Sequence, residues 1–388
     1  MESKRIIVKI GSSSLSDMRG GLDTAKLNEH VAAIAKLKHA GHDVILVTSG
    51  AIAAGYSSLG YPARPVSIAG KQAAAAVGQV LLLSNYATAF RRHGLTVAQL
   101  LLARQDFERR EQASHAFSTL NELLYRSVIP IINENDSISL EELTFGDNDM
   151  LSVLVGGLVH AELLIILTDV NGIYDKNPRF YADAKRYKEL SMLPARLLSD
   201  NEGGKGSAVG TGGMRSKLRA AQMGLSLGLR IFIGSGVGND KLMNIVAGDG
   251  DGTYLGTAKL RPSLKVGKQW IAMLSPVCGK IEIDRGAAQA LLRDGKSLLP
   301  AGVRQVSGHF SSGEVIQIID ENHRVIGKGQ VNYSAAELQQ IKHLSSEEAI
   351  QRIPGGRPEV VHRNNWVPWT SLVNINREQG EMLHESGH

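Results

Sequence analysis

Two lysines, each beside glycine and hydroxyl side chains, are the residues of this 388-residue chain best suited to bind an anion. Residues 9–14 read KIGSSS, and residues 210–217 read GTGGMRSK ahead of a predicted helix. Glycine lets backbone N–H groups approach a phosphate, and lysine supplies charge for a transferred group. Taken alone, Lys9 is more simply a strand-end lysine that reaches solvent. Together, the two segments indicate phosphate binding.

A second group of segments is rich in hydroxyl, amide and carboxylate side chains. Ser49 and Gly50 open a predicted helix, whose free N–H groups either bind an anion or belong to an ordinary turn. Residues 133–136 (NEND) and 145–149 (FGDND) place six Asn and Asp side chains in two predicted loops. The acids suit the ammonium of an amino-acid ligand, and the amides suit its carboxylate. Orientation of lysines, binding of Mg²⁺ through phosphate, and plain turn formation are the alternatives.

The hydrophobic pattern predicts the elements that must position these segments. Short aliphatic runs alternate with helical stretches over the first 250 residues, which is typical of an α/β domain with a mainly parallel sheet sandwiched by helices. The main predicted strands are 5–10, 44–47, 96–100, 128–132, 163–167 and 230–233, and the long helices are 22–40 and 69–90. Ligands bind beyond the carboxyl ends of parallel strands, so the polar residues after four of these strands should meet at one edge.

A change of pattern near residue 258 divides the chain. We predict a first domain over residues 1–258, a linker over 259–275, a small β-rich domain over 276–353 and a tail over 354–388. The net charge of +5 is unevenly distributed, because residues 270–360 hold ten basic and ten acidic residues. A neutral second domain argues against RNA binding, which normally needs a basic face.

Composition and motifs exclude several classes of protein. Apolar residues at 43% and charged residues at 21% fit an ordinary globular chain. Cys278 is the one cysteine of the sequence, which excludes an internal disulfide and a CxxC zinc site. The sequence has neither a stretch of about 18 apolar residues nor a signal-peptide pattern, so we expect a cytoplasmic protein without a membrane anchor. GxSxG, HExxH and Walker A motifs do not occur, and we expect no metal held directly by side chains.

Six motifs in the same order resemble the glutamate 5-kinases of the amino-acid kinase family. They are residues 8–15 (VKIGSSSL), 47–55 (VTSGAIAAG), 132–136 (INEND), 145–149 (FGDND), 167–174 (LTDVNGIY) and 210–217 (GTGGMRSK). Residues 276–353 are similar to the PUA domain attached to many of these enzymes. The resemblance implies an amino-acid kinase fold and an enzyme that makes L-glutamyl 5-phosphate from L-glutamate and ATP in proline biosynthesis. It also implies Mg²⁺ as a cofactor.

The resemblance implies a role for each matching residue. Lys9 and Lys217 would contact the phosphates of ATP, and Asp149 would orient these lysines. The residues implied in glutamate binding are Ser49, Asn133, Asp136 and Asn148. Those implied in ATP binding are Lys9, Gly11, Thr168, Asp169, Thr211, Gly212, Gly213, Met214, Arg215, Ser216 and Lys217. Ser216 departs from the threonine usual in the family, but it keeps the hydroxyl group.

Several alternatives stay open at this point. An acetylglutamate or aspartate kinase of the same fold would use similar phosphate loops, although the two Asn/Asp clusters and the attached domain favour free glutamate. RNA binding rests on the PUA-like domain alone. A catalytically dead amino-acid sensor is disfavoured because both lysines and Asp149 are present. The resemblance further implies inhibition by proline and a homo-oligomer, either a dimer or a tetramer.

Overall fold

The computed structural model describes residues 3–17, 20–138, 147–176, 178, 181–194, 197, 213–236, 238, 240–256, 275 and 277–368. The chain divides into two compact units. The first comprises Met1–Asp106 and Arg110–Ser263, and the second comprises Phe107–Arg109 and Leu264–His388. The predicted linker, except for Ser275, and most of the predicted tail lie outside the described residues. The domain boundaries given above therefore stay predictions.

An eight-stranded sheet forms the centre of the first unit. Its strands are β1 (Arg5–Ile10), β2 (Asp43–Thr48), β3 (Val97–Leu102), β4 (Ile129–Glu134), β5 (Leu163–Leu167), β6 (Glu189–Leu190), β7 (Arg230–Gly234) and β8 (Gly252–Leu255). They lie in the order β3-β4-β2-β1-β5-β7-β8-β6, and every neighbouring pair is parallel except β7–β8. The carboxyl ends of β1, β2, β4 and β5 therefore share one edge of the sheet.

Eight helices accompany this sheet along the described residues between 3 and 256. They are α1 (Thr24–His39), α2 (Ala51–Gly55), α3 (Ile68–Arg91), α4 (Arg104–Glu108), α5 (Arg110–Tyr125), α6 (Asp147–Leu158), α7 (Met214–Ser226) and α8 (Lys241–Ala247). Alternation along β1 sends Ile6, Val8 and Ile10 into a core shared with α1, α3 and α8. Ile7 and Lys9 face the opposite way, toward α6. Strand periodicity thus decides which face of the sheet the lysine occupies.

Helix α3 lies against α2 at a distance that only glycine permits. A Cβ atom on Gly78 would lie 1.7 Å from the carbonyl oxygen of Ala51, and one on Gly55 would lie 2.1 Å from the carbonyl oxygen of Ala74. Among the described residues, α3 is also the one helix long and apolar enough to cross a membrane. A core helix passes the same test of length and composition, and the close packing of α3 on α2 is typical of a core helix.

The second unit has its own sheet and its own core. Its strands are β9 (Gly279–Ile283), β10 (Val303–Gly308), β11 (Val315–Ile319), β12 (Val325–Gln330) and β13 (Trp366–Pro368), in the order β10-β9-β11-β12-β13. Only β9 and β11 pair in parallel. Helices α9 (Arg285–Leu292), α10 (Ala335–Ile341) and α11 (Ser346–Arg352) accompany the sheet. Ile281, Ile316, Leu338 and Trp366 are among the buried residues of its core.

The predicted fold class is confirmed, since a mainly parallel α/β sheet is followed by a β-rich unit. Most predicted boundaries shift by one or two residues, and two of the shifts are informative. The helix predicted at 22–40 begins at Thr24, because the Asp23 carboxylate accepts two backbone N–H groups of the first turn and so caps it. The strand predicted at 128–132 extends to Glu134. This extension makes the first residues of the NEND segment part of the sheet.

Substitution of Gly78 tests the close approach of α3 to α2. Gly78→Ala is expected to lower the free energy of unfolding by about 3 kcal/mol, because the added methyl group overlaps a backbone carbonyl that cannot move alone. Urea unfolding followed by circular dichroism measures this change. Gly286→Ala is the control, because its Cβ would meet no backbone atom within 4 Å; its neighbour is the Asp284 carboxylate that caps α9, which at 3.3 Å has to yield by only a few tenths of an ångström. Equal stability of the Gly78 and Gly286 variants would contradict the packing described here.

Candidate active site

One carboxylate lies between the two lysines that the sequence analysis singled out. Asp149 Oδ1 lies 2.5 Å from Lys9 Nζ, and Asp149 Oδ2 lies 3.1 Å from Lys217 Nζ. The three residues are 1%, 5% and 7% exposed, respectively. They come from α6, β1 and α7, so the sheet and two helices bring together residues that are far apart in the sequence.

Asp149 reaches this position from the first turn of α6. The prediction that the FGDND segment is a loop is wrong for Asn148 and Asp149, since α6 begins at Asp147. Asn and Asp are favoured at helix starts as well as in turns, so composition did not separate the two structures. The first turn of a helix has N–H groups without helical partners, which favour negative charge there. A helix start is therefore a suitable place for the shared carboxylate.

Charge pairing controls the ionisation of this carboxylate. Burial acts to raise the pKa of Asp149, but the ammonium groups of Lys9 and Lys217 and hydrogen bonds from Lys9 and Ser216 outweigh burial and lower the pKa to about 2. Burial lowers the pKa of Lys9, and the Asp149 charge opposes that change. One negative charge thus lies between two lysines. The cluster keeps a positive balance, which suits an anionic ligand.

The hydroxyl group of Ser216 belongs to the same cluster. Ser216 Oγ donates to Asp149 Oδ2 at 2.9 Å, next to the bond that Lys217 Nζ donates to this oxygen. Both residues lie in the first turn of α7, which begins at Met214 after Gly213 in extended conformation. The helix predicted after the GTGGMRSK segment is confirmed. Thr211 and Gly212, which were predicted to bind ATP, lie outside the described residues.

The turn after β1 is held from its far side by two side chains. Ser12–Ser14 form one turn of 3₁₀ helix. Ser16 Oγ donates to the first carbonyl of this turn at 2.8 Å, and His30 Nε2 lies 3.3 Å from the last. Burial and then the charge of Lys241 lower the pKa of His30 to about 4. The ring is therefore neutral, and Nε2 must carry the hydrogen that the carbonyl accepts. Sequence reasoning missed His30, whose signal was a polar residue on the apolar face of α1.

Gly11 and Thr168 occupy neighbouring strand ends. A Cβ atom on Gly11 would lie 3.4 Å from Lys9 Nζ and 3.9 Å from the carbonyl oxygen of Leu167. Thr168 follows β5, and its N–H donates to the carbonyl of Gly234 at 3.0 Å. Its hydroxyl donates to the carboxylate of Asp169 at 3.1 Å. The ends of β1 and β5 thus bring predicted ATP-binding residues next to Lys9.

Two residues predicted to bind glutamate meet beside the cluster. Asn148 Nδ2 donates to Ser49 Oγ at 3.0 Å, which links α6 to the segment after β2. Gly50 has a φ of +106°, a left-handed conformation that favours glycine, and it precedes α2. Asn148 Oδ1 is buried and has no hydrogen-bond partner among the described residues. A buried acceptor of this kind is suited to a ligand with N–H donors.

Asn133 has protein partners on both sides of its amide. It is 1% exposed at the end of β4. Its Nδ2 donates to Gln79 Oε1 of α3 at 2.7 Å, and its Oδ1 accepts from the N–H of Glu134 at 2.9 Å. Asp136 is partly buried in the turn that follows. Sequence reasoning missed Gln79, whose signal was a glutamine at a buried position of an alanine-rich helix.

The chain is similar to known protein families and to curated proteins. The amino acid kinase family model matches residues 4–235, and the PUA domain model matches residues 279–353. Glutamate 5-kinase of Bacillus cereus (strain G9842) is 57% identical over 367 residues, which cover 95% of this chain and 100% of that protein. Glutamate 5-kinase of Geobacillus kaustophilus (strain HTA426) is 56% identical over 367 residues, which cover 95% and 98%. The crystal structure of UMP kinase from Ureaplasma parvum has a TM-score of 0.46 at 12% identity, and the match covers 66% of this chain and 100% of that one.

Acid titration tests the charge state of Asp149. Its folded pKa of about 2 lies below the ordinary 3.8, so its ionisation stabilises the fold above about pH 4, and this contribution is lost as the pH falls toward 2. The stability difference between wild type and Asp149→Asn should therefore shrink by about 2 kcal/mol across that window. Urea unfolding at pH 6, 4 and 3 measures the trend.

Asp240→Asn is the matched control for this titration. It removes an exposed carboxylate that pairs with Lys36 at 2.7 Å, an interaction of little consequence for stability. Its effect should stay small at each pH. A constant difference between wild type and Asp149→Asn from pH 6 to 3 would mean that Asp149 is not the ionised partner of the lysines.

Proposed function

The chain belongs to the amino acid kinase family, and from that premise we propose that it transfers the γ-phosphoryl group of ATP to the γ-carboxylate of L-glutamate. The product is L-glutamyl 5-phosphate, and the reaction is the first step of proline biosynthesis. The observation that carries this proposal is 57% identity to glutamate 5-kinase across 95% of the chain. The buried cluster of Lys9, Asp149 and Lys217 supports it, because phosphoryl transfer needs positive charge held in place.

We propose that the phosphates of ATP bind at the two lysines. In this proposal Lys9 and Lys217 contact the phosphates, and Asp149 holds both ammonium groups in position. The residues that line ATP are Gly11, Thr168 and Asp169, together with residues 211–217. Among the described residues, no group of three or more His, Cys, Asp or Glu could hold a metal ion. In this proposal Mg²⁺ enters with the nucleotide as MgATP.

The chemical step needs positioning and charge more than a base. A γ-oxygen of glutamate attacks the γ-phosphorus in line, the bond from that phosphorus to the bridging oxygen breaks, and ADP leaves with the electron pair. A carboxylate is ionised at pH 7 and has no proton to lose. The pKa of His30, lowered to about 4, makes its ring a weak base, and its Nε2 hydrogen is donated to the carbonyl of Ser14, which agrees with an account in which histidine takes no proton from the substrate.

The glutamate side of the site carries Ser49, Asp136 and Asn148. The buried Oδ1 of Asn148 would accept a hydrogen bond from the α-ammonium group, and Asp136 would supply the opposite charge. An acetylated amine has one N–H and no charge, so it would bind less well than an ammonium group to both the Asn148 amide and the Asp136 carboxylate. This difference favours free glutamate over acetylglutamate.

The remaining expectations from the resemblance stay predictions. They are inhibition by proline, assembly as a dimer or tetramer, and a cytoplasmic location. Proline shares an amino group and a carboxylate with glutamate, so competition at Asp136 and Asn148 is the simplest route to inhibition. RNA binding is not favoured, because residues 270–360 carry no net charge.

Trapping of the acyl phosphate with hydroxylamine tests the reaction. With MgATP and glutamate we expect hydroxamate and ADP in equal amounts, and much slower turnover of acetylglutamate and aspartate. Lys217→Ala should lower kcat by 10²- to 10³-fold, because it removes charge from the transferred group. Lys36→Ala removes an exposed lysine and should leave kcat unchanged. Faster turnover of another acid would reassign the substrate, and full activity of Lys217→Ala would remove the lysine from the mechanism.

Two substitutions at Ser216 test its bond to Asp149. Ser216→Ala removes a hydrogen bond to a charged group, and we expect kcat/KM for MgATP to fall about tenfold. Ser216→Thr keeps the hydroxyl group and should retain activity within about threefold. Steady-state kinetics at saturating glutamate measure both. Wild-type kinetics in Ser216→Ala would show that the hydroxyl group does not position Asp149.

A further inference from the structure

Three contacts tie α3 to the strand ends and helix that carry the glutamate side of the site. Tyr86 of α3 shares a hydrogen bond of 2.9 Å with the hydroxyl of Thr48, the residue before Ser49. Gly78 lies against the carbonyl of Ala51, as described above. The third contact is the 2.7 Å bond between Gln79 and Asn133, which joins α3 to the end of β4 across 54 residues.

The bond between Gln79 and Asn133 is buried on both sides. Asn133 is 1% exposed and Gln79 is 9% exposed. Two amide side chains in such a place require mutual hydrogen bonds, because a buried amide without a partner is strongly unfavourable. The position of Gln79 along the sheet is fixed, because the preceding residue, Gly78, packs directly against the backbone of α2. The acceptor offered to Asn133 is therefore fixed in space by the packing of two helices.

Asn133 is also hydrogen-bonded to the segment that follows it, residues 134–138. Its Oδ1 accepts the N–H of Glu134, so both polar ends of one planar amide are used by the protein. Ser137 Oγ donates to Asn135 Oδ1 at 2.9 Å, and the N–H of Ile138 donates to the carbonyl of Asn135 at 3.2 Å. These bonds form a compact turn, and Asp136 lies within it.

We propose that Gln79 is a positioning residue for glutamate, which acts through Asn133 on the turn that carries Asp136. This inference rests on the proposed function. It changes the role implied for Asn133, whose amide bonds to Gln79 and to the N–H of Glu134 and so supports the turn from the end of β4. Loss of Gln79 would free the Asn133 amide and leave the turn less firmly placed. The ATP side would be unaffected, because Lys9, Lys217 and Asp149 make none of these contacts.

The test is a double-substitution cycle on Gln79 and Asn133. Gln79→Met keeps the length of the side chain and removes the acceptor, and Asn133→Ala removes the donor. Each should raise KM for glutamate about tenfold and leave KM for MgATP and kcat within about threefold. Because one residue acts through the other, the double variant should also show about a tenfold rise in KM for glutamate, far from the hundredfold rise expected of independent residues.

Further variants keep the test decisive. Asn85→Ala removes a side-chain bond to a carbonyl on the same helix, away from β4, and its KM values should match wild type. Gln79→Leu replaces Gln79→Met if the latter does not fold, and thermal unfolding checks each protein. Unchanged KM for glutamate, equal rises in both KM values, or a multiplicative double variant would overturn the proposal. Failure of the wild type to use glutamate would instead overturn the proposed function.

Discussion

A buried carboxylate paired with two lysines is the interaction on which the rest of the first unit depends. Buried charges are tolerated only when they are paired and hydrogen-bonded, so Lys9, Asp149 and Lys217 must be held at fixed mutual distances. Strand alternation turns Lys9 toward α6, and the starts of α6 and α7 present the other two side chains. The central position of β1 in the sheet gives this cluster its rigid base.

Helix α3 supplies the second constraint. Its glycine approaches α2 closely enough to exclude any side chain, and its Tyr86 and Gln79 hydrogen-bond to the ends of β2 and β4. The contacts with α3 thereby position the segments that carry Ser49 and Asp136. The lysine cluster is positioned by β1, α6 and α7 instead. The two halves of the site thus have separate supports within one sheet.

Much of this arrangement was predictable from the sequence, and the reason differs between elements. The aliphatic run at 5–10 and the rule that parallel strands share a carboxyl edge placed Lys9 correctly. The start of α6 was not predictable, because Asn and Asp serve turns and helix starts equally. Gln79 and His30 were missed because their partners are 54 and 16 residues away and local periodicity carries no such information. The pairing of Asp149 with both lysines likewise depends on tertiary packing.

The charge count of the cluster bears on how the protein should be handled. Two ammonium groups and one carboxylate sum to +1 in a buried place, so small oxyanions should compete there with the nucleotide whose phosphates we propose bind these lysines. Inorganic phosphate or sulfate in a purification buffer would stabilise the fold by mass action and, by the same occupancy, weaken the apparent affinity for MgATP. Chloride or organic buffers of low charge are the appropriate media for measuring nucleotide affinity.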